Sequence, residues 1–118
     1  MSEGVRTSRI TTHVLDTARG RPAAGVKVVL SAVDGDGWRE LSRAETDAEG
    51  RVLEFPGADS PKAAVYRLRF ETRDYFRALG VESFYPHVEI AFDVGDPGEH
   101  YHVPLLVSPH GYSTYRGS

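Results

Sequence analysis

Apolar and polar residues alternate with a period of two along most of the chain, as in β-strands that bury one face. Val26, Val28, Leu30 and Ala32 lie on one side of such a segment, and Lys27 lies on the other. Strands are predicted over residues 9–16, 25–32, 38–46, 51–55, 64–71, 86–94, 100–107 and 112–115. Seven or eight short strands at this spacing favour a β-sandwich, although periodicity alone does not separate a sandwich from a barrel.

One short helix is predicted between two of these strands. Thr72 is expected to be its N-cap, and Gly80 suits its C-terminal end. Tyr75, Phe76 and Leu79 have the spacing of one helix face, over about two turns. The predicted fold class is therefore all-β with one short helix.

The loop at residues 47–50 is predicted to close a β-hairpin. Gly50 can adopt the left-handed conformation that such a turn needs, so strand 38–46 would return along 51–55. The many polar residues in 38–46 place that strand near a sheet edge.

The composition limits the classes of function. The chain has 118 residues, 40% of them hydrophobic, which suffices for one domain with a modest core. A net charge of −3 gives no reason to expect nucleic acid or an anionic membrane as a partner. The lack of cysteine excludes a disulfide scaffold and fits a reducing, cytoplasmic location. Residues 1–8 have no signal-peptide pattern and are expected to form a polar leader before one domain at 9–118.

Residues 99–118 hold the densest set of chemically capable side chains. His100 and His102 are expected to point the same way, because side chains alternate along a strand. A histidine, with an ordinary pKa of about 6.5, can take a proton from water, so a general base is one interpretation. A zinc site with His13 as a third ligand is another, and a polar sheet face without a function is the third.

Arg51 stands at the start of a predicted strand, directly after a glycine turn. A rigid backbone at this position could aim the guanidinium group at an anion or at a developing oxyanion. The alternative is an ordinary charge on an edge strand, which the residue pattern by itself favours.

Five segments together carry a family resemblance: THVLDTARGRPAAGVKV, DAEGRV, FYPHVEIAF, HYHVPLLVSP and the ending YSTYRGS. They resemble, in the expected order, the transthyretin-related proteins that act as 5-hydroxyisourate hydrolases. The resemblance extends from about residue 10 to residue 118. Transthyretin itself, the hormone carrier, shares the fold of that family but lacks the YRGS ending and the histidine set.

The resemblance implies a fold, an assembly and an activity. The fold is a transthyretin-like β-sandwich of two four-stranded sheets with one short helix, and the assembly is a homotetramer, a dimer of dimers around a central channel. The activity is hydrolysis of 5-hydroxyisourate to 2-oxo-4-hydroxy-4-carboxy-5-ureidoimidazoline in urate breakdown, with no metal and no cofactor. A non-catalytic carrier of small molecules and a zinc-dependent site are the alternative hypotheses.

The resemblance also implies a set of site residues. The family's catalytic residues correspond in this chain to His13, Arg51, His102 and Ser118, and its substrate-binding residues to Tyr115, Arg116 and Gly117. His100 joins the substrate-binding group because it lies on the same predicted face as His102. Amide hydrolysis needs an activated water, which His102 and His13 would supply, and a positive group such as Arg51 near the carbonyl oxygen. Ser118 would add hydroxyl and carboxylate groups, and Tyr115 an aromatic wall.

Overall fold

The computed structural model describes residues 9–58 and 61–118, and within them the chain forms nine strands and one helix. In chain order these are β1 (Ile10–Asp16), β2 (Arg21–Pro22), β3 (Lys27–Asp34), β4 (Gly37–Glu45), β5 (Arg51–Val52), β6 (Ala64–Phe70), α1 (Thr72–Ala78), β7 (Val88–Val94), β8 (Tyr101–Ser108) and β9 (Gly111–Thr114). The predicted all-β class with one short helix is confirmed. The predicted leader, residues 1–8, lies outside the described residues.

The strands form two sheets. One sheet has the order β4-β3-β6-β7, and the other has the order β2-β1-β8-β9 with β5 also paired to β1. All pairs are antiparallel except β1 and β8, which run parallel. The predicted pair of four-stranded sheets is therefore present, and β5 adds a two-residue strand to one of them. The parallel pair brings the beginning of the described chain next to its end.

The core lies between the two sheets and is built from alternate residues of each strand. Leu30 and Leu68 from one sheet and Val14 and Leu105 from the other are fully buried. Burying such a side chain stabilises the fold by about 1.5–3 kcal/mol. These contacts hold β1 and β8 rigidly, so the opposite faces of the two strands can present polar side chains in fixed positions.

The predicted hairpin between residues 38–46 and 51–55 is wrong. The turn forms as expected, with Gly50 at φ +78°, but the strand after it has only two residues and pairs with β1 instead of β4. The physical reason is that backbone groups on this edge of β1 need partners. The amide of Val14 donates to the carbonyl of Gly50 at 2.7 Å, and this hydrogen bond holds the turn against β1.

The helix begins one residue earlier than predicted. Glu71 occupies the N-cap position, and Thr72 is the first helical residue and is buried. The Glu71 carboxylate does not cap the helix because it accepts a hydrogen bond from Arg69 at 2.8 Å. Gly80 follows the helix with φ +75°, as its predicted role at the C-terminal end requires. No helix in the described ranges has the length and apolar character needed to cross a membrane.

Candidate active site

A polar face of the β1–β8 pair collects the predicted site residues from distant parts of the chain. Thr11 lies opposite His102, and His13 lies opposite Pro104, in the parallel register. Arg51 of β5 lies opposite His13 on the other side of β1. Because side chains alternate along a strand, all of these side chains share the face turned away from the core. We call this surface the histidine face.

Thr11 connects the two neighbouring histidines on this face. Its hydroxyl lies 2.8 Å from Nδ1 of His102 and 2.9 Å from Nε2 of His100. The two imidazole rings are nearly parallel, with centroids 6.3 Å apart. Thr11 itself is 2% exposed, whereas His102 is half-buried and His100 is exposed. The hydroxyl therefore joins a half-buried imidazole to a solvent-exposed one.

The ring of His13 is held by the turn that precedes β5. Its Nε2–H donates to the carbonyl oxygen of Glu49 at 2.8 Å. A carbonyl only accepts hydrogen bonds, so this contact places the proton on Nε2 and leaves Nδ1 of the neutral ring with a lone pair. The turn can lie this close to β1 only because residue 50 is a glycine. A Cβ on Gly50 would be 2.4 Å from the carbonyl oxygen of Val14.

The guanidinium group of Arg51 is exposed at the edge of the histidine face. Its backbone is fixed by Asp47, whose carboxylate accepts from the Arg51 amide at 2.9 Å. Within the described part of the chain the guanidinium forms no ion pair, unlike that of Arg69, which pairs with Glu71. Arg51 is therefore free to pair with an anionic or polar ligand from outside.

The electrostatics of the face depress the basicity of His102. Burial is the main cause of its lowered pKa, because a charged ring loses hydration there. The positive charges of His100, His13 and Arg51 lower the pKa further. His102 is therefore neutral at neutral pH, which is the state that a general base requires.

The C-terminal segment packs against His102. The Gly117 amide donates to the carbonyl of His102 at 2.8 Å, and the two residues form an isolated β-bridge. A Cβ on Gly117 would lie 2.5 Å from Cδ2 of the His102 ring and 3.3 Å from Cγ of Pro104. Only glycine fits here without moving the ring. Ser118 is exposed and follows directly, which places it beside the histidine face.

Two predicted substrate-binding residues do not join the histidines within a single chain. Arg116 turns to the other side, where its guanidinium donates to Glu99 at 2.9 Å and lies 4.5 Å from the ring centre of Tyr101. Tyr101 belongs to the core side of β8. Tyr115 is 58% exposed and contributes no wall in the isolated chain. In the single chain, Arg116 therefore anchors the C-terminal segment through Glu99 and Tyr101 and does not face the histidines.

Residue patterns missed two groups that shape the site, namely the Thr11 hydroxyl and the Glu49 carbonyl. Thr11 stands two positions before His13, so alternation does place it on the same face. Its two imidazole partners, however, come from the parallel pairing with β8, and strand periodicity does not reveal partners that are about 90 residues away.

The described residues contain no group of three histidine, cysteine, aspartate or glutamate side chains that could hold a metal ion. One ring nitrogen of each of the three histidines in the zinc hypothesis already has a hydrogen-bond partner. His100 and His102 each direct one nitrogen at Thr11, and His13 directs Nε2 at a backbone carbonyl.

Comparisons with known proteins identify the family of the chain. Residues 10–117 match the model of the HIUase/Transthyretin family. A 5-hydroxyisourate hydrolase from Caulobacter vibrioides is 48% identical over 115 residues, covering 94% of this chain and 99% of the relative. The solved structure of the Klebsiella pneumoniae 5-hydroxyisourate hydrolase has a TM-score of 0.81 and 41% identity, covering 92% of this chain and 97% of that one. Sea bream transthyretin, solved in complex with thyroxine, has a TM-score of 0.85 and 31% identity, covering 92% and 94% of the two chains. The chain therefore belongs to the HIUase/Transthyretin family.

Proposed function

We propose that this protein is a hydrolase that converts 5-hydroxyisourate to 2-oxo-4-hydroxy-4-carboxy-5-ureidoimidazoline in urate breakdown. The observation that carries the proposal is the meeting of His102, His13 and Arg51 on one face, with the tail packed beside them. Several relatives over nearly the full chain are named 5-hydroxyisourate hydrolases, which supports the substrate.

The reaction opens a ring at an amide bond, and the histidines supply the proton transfers. Water attacks the carbonyl carbon while one of its protons passes to an imidazole lone pair, on Nε2 of His102 or Nδ1 of His13. The carbon–nitrogen bond then breaks, and the departing nitrogen takes the proton back from the imidazolium. The product carboxylic acid ionises, so the second proton of the water leaves to solvent. A positioned acid–base group of this kind contributes about 100- to 10,000-fold to the rate.

The remaining residues bind the substrate and stabilise charge. Arg51 has two parallel N–H donors for the planar ring and opposes the negative charge that develops on the carbonyl oxygen. Ser118 provides a hydroxyl next to Gly117. His100 binds the ring, Tyr115 would reach the substrate only in the assembled tetramer, and Arg116 contributes through the tail that it anchors to Glu99.

The proposal includes a homotetramer, a dimer of dimers, because the histidine face is open in a single chain. β7 and β9 each end their sheet, so within the described chain both have one edge without a neighbouring strand. Such edges are the natural places for pairing between subunits. A second subunit opposite the histidine face would make it one wall of a channel that still admits the water needed for hydrolysis. A cytoplasmic location is part of the proposal and rests on the cysteine-free composition.

A carrier of small molecules is the second candidate function. The structural similarity to sea bream transthyretin, whose structure contains thyroxine, favours it. A carrier would use the histidine face only as the lining of a binding channel.

A decay assay separates the hypotheses. Urate oxidase generates 5-hydroxyisourate from urate in the cuvette, and the fall in its ultraviolet absorbance is followed with and without the protein. The hydrolase predicts faster decay that survives chelation with EDTA and is lost in His102→Gln. His110→Gln is the matched control, because His110 is exposed in the turn after β8. Acceleration that EDTA removes would favour zinc, and no acceleration in the wild type would favour the carrier.

A further inference from the structure

We propose that Thr11 is a positioning residue whose hydroxyl couples His102 to His100, sets the tautomer of His102 and passes a proton to the solvent side. The catalytic part of this inference rests on the proposed hydrolase function. The structural part, the coupling of the two imidazoles, stands on geometry alone.

A single hydroxyl hydrogen makes the two rings dependent on each other. The Thr11 hydroxyl lies within hydrogen-bond distance of Nδ1 of His102 and Nε2 of His100, but it has only one proton to donate. If it donates to one ring nitrogen, the other nitrogen must donate to the hydroxyl oxygen. The two neutral rings therefore change tautomer together.

Only two arrangements satisfy both contacts when both rings are neutral. In the first, Nδ1–H of His102 donates to Thr11 and the hydroxyl donates to Nε2 of His100, so both rings carry their proton on Nδ1. In the second, Nε2–H of His100 donates to Thr11 and the hydroxyl donates to Nδ1 of His102, so both rings carry their proton on Nε2. The first arrangement leaves Nε2 of His102 unprotonated, as a general base requires.

Switching between the arrangements moves one proton across the site. After His102 has returned the first proton to the departing nitrogen, its Nε2 takes the second proton of the water, its Nδ1 proton passes to the Thr11 oxygen, and the Thr11 proton passes to Nε2 of His100. His102 is then neutral with its proton on Nε2, and His100 carries the positive charge. No other bond changes, and no further reactant is needed.

The surroundings of the two rings give this transfer a direction. His102 is half-buried and faces His100, His13 and Arg51, all of which oppose a positive charge on it. His100 is exposed, so water can hydrate its imidazolium form and accept the proton. Hydrolysis of an amide to a carboxylate releases one proton, and this route gives that proton an exit.

Thr12 shows what a purely structural hydroxyl looks like on the same strand. Its side chain points to the core and donates to the carbonyl oxygen of Val103 at 2.6 Å, and the residue is fully buried. Thr12→Val therefore removes a buried hydroxyl of β1 without touching the histidine face. It is the matched control for Thr11→Val.

The first test needs no substrate. Nitrogen NMR on the full-length protein assigns the tautomers of His100 and His102 above the pH at which they protonate. The wild type should show both rings in the same tautomer, and Thr11→Val should release each ring from that constraint while Thr12→Val does not. Different tautomers for the two rings in the wild type, or unchanged tautomers in Thr11→Val, would overturn the coupling.

The second test uses the decay assay. Thr11→Val should lower kcat by about tenfold, less than the roughly 100-fold of a direct acid–base group, with little change in KM. Thr11→Ser keeps the hydroxyl and should restore kcat to within about threefold, while Thr12→Val should lower stability and keep kcat. Wild-type kcat in Thr11→Val, or no rescue by serine, would refute the relay.

A wild type without hydrolase activity would instead refute the proposed function, and the NMR result would still decide the coupling. If Thr11→Val does not fold, two results still test the proposal: the tautomers of His100 and His102 in the wild type, and the kcat of Thr11→Ser.

Discussion

Gly117 lies against the imidazole of His102, with its amide 2.8 Å from the His102 carbonyl oxygen and its Cβ direction pointing at the ring. An added methyl group would come within 2.5 Å of ring atom Cδ2. The ring cannot retreat freely, because its Nδ1 is held by Thr11 at 2.8 Å. The YRGS ending therefore has a steric reason for its glycine.

Gly117→Ala should impair catalysis without unfolding the protein. The new methyl group must displace either the tail or the His102 ring, and a misplacement of about 1 Å can cost about 100-fold in rate. We expect kcat in the decay assay to fall by that order, with a cooperative thermal transition retained. Gly95→Ala is the control, because a Cβ at Gly95 meets no atom within 4 Å. Wild-type kcat in Gly117→Ala would mean that this contact has no catalytic role.

Local patterns predicted which face each residue of β8 occupies. Tyr101, Val103, Leu105 and Val107 are buried, and His102 lies on the other face, as alternation requires. These predictions work because side-chain direction within a strand depends only on backbone geometry. The left-handed glycines in turns were predictable for the same reason, because their conformation depends on the local backbone and not on distant residues.

Partners between strands were not predictable in the same way. The turn ending at Gly50 was recognised, but Arg51 pairs with His13 of β1 instead of returning along β4. Which edge accepts a strand depends on unpaired backbone groups elsewhere in the fold. Family resemblance supplied the joint assignment of His13, Arg51 and His102, whereas the hydroxyl of Thr11 emerged only from the parallel register of β1 and β8.

Tyr75→Phe should destabilise the protein. The Tyr75 hydroxyl donates to the buried carboxylate of Asp16 at 2.8 Å and fastens α1 to the end of β1. Removing one partner of a buried hydrogen bond costs about 1–3 kcal/mol. Urea denaturation should therefore give a lower free energy of unfolding. Tyr112→Phe, at an exposed position, is the control and should change it little.

The same pair predicts a loss of stability at alkaline pH. Burial and then the hydrogen bond to Asp16 raise the pKa of Tyr75 above its ordinary value. The folded state thus holds this proton more tightly than the unfolded state. The resulting stability is complete below a pH of about 10 and is lost as the pH rises toward the folded pKa. Urea denaturation between pH 9 and 11 should show a smaller decline in Tyr75→Phe than in the wild type. Equal declines would contradict the raised pKa.

Arg51→Lys should lower activity although it keeps the positive charge. Lysine lacks the two parallel donors that would hold a planar ring and the carbonyl oxygen. We expect kcat/KM to fall by about 100-fold, within the range found for removing one oxyanion donor. The free energy of unfolding should change by less than about 0.5 kcal/mol, because the side chain is exposed. Arg39→Lys, exposed on β4, is the control and should leave kcat/KM unchanged. Full activity in Arg51→Lys would mean that only the positive charge of Arg51 matters, and not its paired donors.

The pH dependence of kcat/KM should report the depressed pKa of His102. Burial first, and then the charges of His100, His13 and Arg51, hold this pKa below about 6.5, the ordinary value. The base form of His102 should therefore persist below neutral pH, and kcat/KM should decline only as the pH falls through a midpoint under 6.5. His100→Gln removes one neighbouring positive charge and should raise that midpoint toward 6.5, whereas His110→Gln should not move it. A wild-type midpoint above 6.5, or the same midpoint in His100→Gln, would assign the acidic limb to a group other than His102.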